Sequence, residues 1–152
     1  MRSVLLFVLA LLFFPVTAFA QNDWGVGFMV GEPTGLSAKV WLNDTNALDA
    51  GLAWSFANDA SIQMHADYLY HRVHFLNENK YEGSIPVYFG VGGRMVLDDD
   101  SRIGVRFPIG VGKTLFRFPI ELFLEVVPIL YLAPKTDFAI NGSVGIRYYL
   151  NQ

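Results

Sequence analysis

From Trp24 onward the chain alternates apolar residues with polar or small ones at a period of two, the spacing of a strand whose two faces meet different surroundings. The pattern is sharpest near the C-terminus. There Phe138, Ile140, Gly142, Val144, Ile146, Tyr148 and Leu150 share one face, and Ala139, Asn141, Ser143, Gly145, Arg147 and Tyr149 the other. Ile85, Val87, Phe89, Val91 and Met95 oppose Tyr88, Gly90, Gly92 and Arg94 in the same way. Ile103, Val105, Phe107, Ile109 and Val111 oppose Gly104, Arg106, Pro108, Gly110 and Gly112, and Leu122, Leu124, Val126, Leu130 and Leu132 oppose Glu121, Phe123, Glu125 and Tyr131. The first half repeats the theme in runs from Trp24, Leu36, Leu48 and Ile62. Eight strands are predicted, separated by turn signals such as Glu32-Pro33-Thr34, Asn43-Asp44-Thr45-Asn46, Asp98-Asp99-Asp100 and Pro134-Lys135-Thr136-Asp137. Pro108 and Pro128 each delete a ladder donor, and a bulge is expected at each.

The distribution of charge decides which face turns inward. Lys39, Arg94, Arg106 and Arg147 fall on the polar face against Asp49, Asp67, Glu121 and Glu125, four of each sign, and no charge interrupts the middle of an apolar face. A soluble barrel or sandwich places its charged face in water. A transmembrane barrel reverses this, since an unpaired charge at the bilayer midplane costs roughly 2–4 kcal/mol. Eight strands enclose an interior just wide enough for side chains, and inward glycines such as Gly51, Gly92 and Gly112 leave room for long cations. The fold expected is therefore all-β, an eight-stranded antiparallel up-and-down transmembrane β-barrel. Its lumen would hold a network of Lys39, Asp49, His65, Asp67, Arg94, Arg106, Glu121, Glu125 and Arg147. An aromatic girdle of Trp24, Trp41, Tyr68, Tyr70 and Tyr148 is expected at one rim, with Trp54, Phe56 and Phe138 at the other.

Composition narrows the function further. The 152 residues carry 11 Lys+Arg against 14 Asp+Glu, so there is no basic surplus for nucleic acid. Cysteine is absent, which removes disulfides, thiolate metal sites and thiol catalysis. At the N-terminus, Arg2, the apolar run from Val4 to Phe14 and Ala18-Phe19-Ala20 read as a Sec signal cleaved after residue 20, leaving residues 21–152 as one domain. That run is too short to span a bilayer as a helix, which takes about 20 residues.

Gly31-Glu32-Pro33-Thr34-Gly35-Leu36-Ser37-Ala38-Lys39 with Trp41, then Leu48-Asp49-Ala50-Gly51-Leu52-Ala53-Trp54, give the chain a family look. With His65-Ala66-Asp67-Tyr68-Leu69, the run from Glu121 to Pro128, and Gly145-Ile146-Arg147-Tyr148-Tyr149, it resembles a family of small bacterial outer-membrane proteins of unknown function. That family includes spirochaetal barrels, one described as binding the complement regulator factor H. The resemblance implies an OmpA-like eight-stranded barrel in the outer membrane of a Gram-negative-type cell, and it supplies no catalytic residues. Its partners would be outer-membrane lipid, lipopolysaccharide, the barrel-assembly machinery and an unidentified surface protein. The chain departs from such barrels at its last residues, Leu150-Asn151-Gln152, where an aromatic residue is usual.

Few constellations point to chemistry. Gly110-Val111-Gly112-Lys113-Thr114 is similar to the end of a P-loop, but Phe107 stands where that motif needs glycine. His65, Asp67 and His71 share the inward face, as a metal pair or acid–base group would. His65 and Asp67 are spaced about 7 Å apart along the strand, and a hydrogen-bond network is the preferred reading. Adding Ser55 or Ser61 would supply the parts of an acyl hydrolase acting on lipid A, the alternative to a structural or surface-interaction role without catalysis. A narrow channel is the third possibility. Glu121 and Glu125 are expected to pair with arginines, and Asp98-Asp99-Asp100 to form a solvated turn. No cofactor or metal is expected.

Overall fold

The computed structural model describes residues 23–55, 61–72, 85–115 and 117–150. The segment expected as a leader at 1–20, Phe56, the turn expected at 57–60, the connection expected at 74–83 and the last two residues lie outside the described residues. Nine strands form one antiparallel sheet: β1(Trp24–Gly31), β2(Gly35–Trp41), β3(Asn46–Ser55), β4(Ser61–Arg72), β5(Val87–Leu97), β6(Arg102–Arg106), β7(Ile109–Leu115), β8(Ile120–Ala133) and β9(Asp137–Tyr149). No helix occurs among the described residues.

The sheet has no free edge among these strands. β1 to β5 pair in chain order, β5 pairs with both β6 and β7, β8 pairs with both in turn, and β9 joins β8 back to β1. The hydrogen-bonded strands thus close into a ring. Short turns serve the hairpins: Gly31 N donates to Thr34 Oγ1 across the first, and Asn43 Oδ1 accepts from the amides of Thr45 and Asn46 in the second. Gly31 takes a φ of 134°, a conformation that suits glycine at the first of these turns. At the Asp98 turn the Asp100 amide donates to the Asp98 carboxylate, which closes an Asx turn.

The sixth predicted strand is divided into β6 and β7 at Phe107-Pro108, so nine strands stand where eight were expected. The bulges expected at Pro108 and Pro128 are absent. Arg106 faces Gly92 and Ile129, Ile109 faces Phe89 and Val126, and the register is the same on both sides of the break. Phe107 N donates to Pro128 O, and Gly90 N to Pro108 O, but neither proline has an N–H to return the bond. Missing donors, and no inserted residue, make the interruption. The register shift lies instead between Ile103 and Gly104, where Leu132 is the extra residue opposite.

Alternation sorts the two faces sharply. Phe28, Val30, Phe138 and Ile140 lie on the outer face and are each more than 60% exposed, and Leu122, Leu124, Val126 and Ile146 stand in the same layer. The inner face buries Lys39, Asp49, Asp67, Arg94, Arg106, Glu121, Glu125 and Arg147. A small apolar cluster of Val96, Val127, Ile129 and Tyr131 fills one sector of the interior.

Candidate functional site

The interior charges are set by register. Asp49 lies opposite both Lys39 on β2 and Asp67 on β4, and Glu121 lies opposite Arg147 on β9. From those positions the side chains meet partners on neighbouring strands and also reach across the ring to strands that are not neighbours. Lys39 Nζ meets Glu121 Oε1 at 2.9 Å, from β2 to β8. Arg147 on β9 contacts Asp49 Oδ1 on β3 at 2.8 Å through Nη2, and Glu121 Oε2 at 3.3 Å through Nη1. Its Nε donates to Ser37 Oγ at 2.8 Å. Arg106 on β6 joins Asp67 Oδ2 on β4 at 3.0 Å and Glu125 Oε1 at 2.8 Å. All of these side chains are buried, so each pair offsets the cost of taking its partner's charge out of water.

Phenols and aromatic faces complete the network. Tyr88 donates to Glu125 Oε2 at 3.0 Å, and Tyr149 to Glu121 Oε2 at 2.9 Å while accepting from the Trp41 indole N–H. The Arg147 guanidinium lies 3.8 Å from the centroid of Phe123. Lys39 Nζ sits 4.5 Å from the Trp41 ring and 5.4 Å from Tyr88. Sequence reasoning left out Ser37, Tyr88 and Tyr149 as members, although all three carry the inward parity that would have found them.

The histidines separate. His71 stacks between Trp41 and Tyr88, at centroid distances of 4.3 and 5.1 Å, with Nδ1 3.3 Å from Thr45 O. It is remote from His65, and the two do not form a pair. Ser61 lies four residues from His65 on β4, about 13 Å along the strand and beyond a nucleophile–base hydrogen bond. Ser55, on β3, is paired with Ser61 in the ladder. Asp49, His65 and Asp67 do converge, each offering one ligand atom, with the three atoms within 4.8 Å of one another. Among the described residues they form a group of three that could hold a metal ion.

Arg94, opposite His65, makes no ion pair among the described residues; its Nη2 donates to Gln63 Oε1. It lines a polar cavity of about 470 Å³ with Gln63, Arg102, Tyr131 and Asn141, at the end of the ring that carries the turns at 32–34 and 134–136. Arg102 also meets Asp98 at 3.3 Å within the turn between β5 and β6.

Of the girdle residues, Tyr68, Tyr70, Trp54 and Tyr148 are exposed on the outer face, and Trp24 is half-buried. Tyr70 packs on Phe89 at 5.5 Å. Trp41 departs from the girdle: its parity turns it inward, where Lys39, His71 and Tyr149 engage it. The Gly110 to Thr114 segment is strand, which removes any phosphate loop there.

Comparison of the chain with protein-family models, curated proteins and solved structures finds no match.

Proposed function

We propose that the chain is an integral outer-membrane protein, an eight-stranded up-and-down β-barrel of the OmpA-like kind, exported by the Sec route. Its lumen is filled by side chains, and its role is structural or in surface interaction, without catalysis. One observation carries the reading: the ring turns its large apolar side chains outward and its charges inward. Water would leave that outer layer exposed far beyond the few hundred Å² a soluble monomer tolerates. A lipid acyl layer removes the penalty. Strands of 8 to 14 residues in β1, β3, β4, β5, β8 and β9 suit the 9–11 needed for a tilted crossing. β6 and β7 count as one crossing, because one register runs through both.

Ion pairs cross the interior from β2 to β8 and from β3 to β9, and a third joins β4 to β6 past β5, which supports a filled lumen over a channel. The described turns at residues 31–34, 98–101 and 133–137 are short for an active-site lid or a large receptor surface. Lipid, lipopolysaccharide and the assembly machinery are the partners this reading implies, with a surface protein partner left to experiment and nucleic acid disfavoured by the net charge of -3.

The absence of cysteine makes the test simple. Asp99→Cys and, separately, Asn79→Cys are treated in intact cells with a membrane-impermeant maleimide. Labelling at position 99 alone is expected. Labelling at position 79 alone would invert the topology, and labelling at neither before the outer membrane is permeabilised would overturn the membrane reading.

A further inference from the structure

The convergence of Asp49, His65 and Asp67 has three features that an ordinary ion-pair network does not need. The first is space cleared for it. Gly51 stands opposite His65 on β3, and a Cβ there would overlap the imidazole carbon between the two nitrogens; Gly92 stands opposite Asp67 on β5, and a Cβ there would overlap Asp67 Oδ1. Glycine at both positions lets the two side chains lie flat against the wall and meet Asp49.

The second feature is charge. One chain of pairs runs Lys39, Glu121, Arg147, Asp49, and another Asp67, Arg106, Glu125. Three cations serve four carboxylates. Arg94, the cation nearest His65 by register, donates to Gln63 instead. The two chains meet where Asp49 and Asp67 are direct cross-strand neighbours, an arrangement of like charges that repels unless a cation lies between them.

The third is an orphaned acceptor. Asp67 is 2% exposed, and its Oδ1 accepts no hydrogen bond. A buried carboxylate oxygen without a donor is costly, and such atoms call for a partner.

We propose that Asp49, His65 and Asp67 form a binding site for one divalent transition-metal ion of the zinc class. An imidazole nitrogen with two carboxylate oxygens suits Zn²⁺ or Co²⁺, whereas Ca²⁺ and Mg²⁺ take oxygen ligands. Bonds of about 2.1 Å would draw the three atoms from within 4.8 Å to about 3.4 Å apart, a shift that side-chain rotation supplies. Each carboxylate keeps one oxygen on a guanidinium, Asp49 on Arg147 and Asp67 on Arg106, and these contacts orient the ligands from behind. The site lies on the inner face whatever surrounds the ring, so it stands independently of the membrane reading.

The test is a Co²⁺ titration of the folded, tag-free chain in detergent. One equivalent should bind with the visible ligand-field bands of a low-coordinate site, and Zn²⁺ should displace it where Ca²⁺ does not. His65→Gln should weaken binding ten-fold or more, and His71→Gln should leave it unchanged. Absence of the bands, equal binding by the His65→Gln chain, or displacement by Ca²⁺ would each overturn the site. Should His65→Gln not fold, X-ray absorption of the zinc-loaded natural chain decides: one imidazole with oxygen neighbours is expected, and an all-oxygen or multi-histidine shell refutes it.

Discussion

Arg106 shows at single-residue scale how much the interior depends on pairing. It is 1% exposed and serves both Asp67 and Glu125, so Arg106→Leu strands two buried carboxylates and should destabilise by on the order of 3 kcal/mol in urea unfolding. A change within measurement error would count against the network. Tyr88→Phe removes one hydrogen bond to the Glu125 carboxylate and should cost about 2 kcal/mol by the same measurement. Gly27→Ala tests a different constraint, because a Cβ there would overlap the Ile146 carbonyl on β9. Forcing the two strands apart should cost about 2 kcal/mol. Parity alone placed the eight charged residues on one face, since strand geometry leaves no third direction. Which cation meets which carboxylate was not legible, because the contacts join strands that are distant in sequence, as Lys39 and Glu121 are. Asp49 beside His65 and Asp67 is a different case: β3 and β4 are consecutive, but parity does not fix the register that brings these residues together.

At the scale of elements, the strands were read well wherever large side chains alternate with small ones, as from Asp137 to Tyr149. The misreading fell at the prolines. A proline in a strand deletes a donor without adding a residue, so the ladder is interrupted while the register is kept. Pro128 and Pro108 direct their missing N–H groups at Phe107 O and Gly90 O, on opposite sides of the same two-residue step, and the wall is held there by half the usual bonds. Amide exchange should therefore be faster at Phe107 and Gly90 than at flanking positions. Pro128→Ala restores one donor and should slow exchange of the Phe107 amide about five-fold, the equivalent of about 1 kcal/mol. Unchanged exchange would show that packing, and not the ladder, limits opening at this step. Trp41 is a smaller lesson. Its identity suggested an interface and its parity the interior, and parity prevailed because the indole N–H found the Tyr149 hydroxyl.

For the whole molecule, the surroundings of the outer face are open to a direct test. Leu124 is 55% exposed there. Leu124→Arg should destabilise the folded chain in bilayers by roughly 2–4 kcal/mol, whereas an exposed position facing water would tolerate it within about 0.5 kcal/mol. The small cost would reject the lipid-facing assignment. The ring itself has a consequence for the order of events in folding. β1 pairs with β9, and the Leu150 amide donates to Trp24 O, so among the described strands the first finds its second neighbour only in the last. Until that strand arrives, any partial assembly has two bare edges able to capture other chains. This pairing also closes the longest loop among the described strands, which makes it late and slow. Premature collapse thus gains this chain little. Its safest history is to be kept extended until Tyr149 is in hand and then to close in a single event.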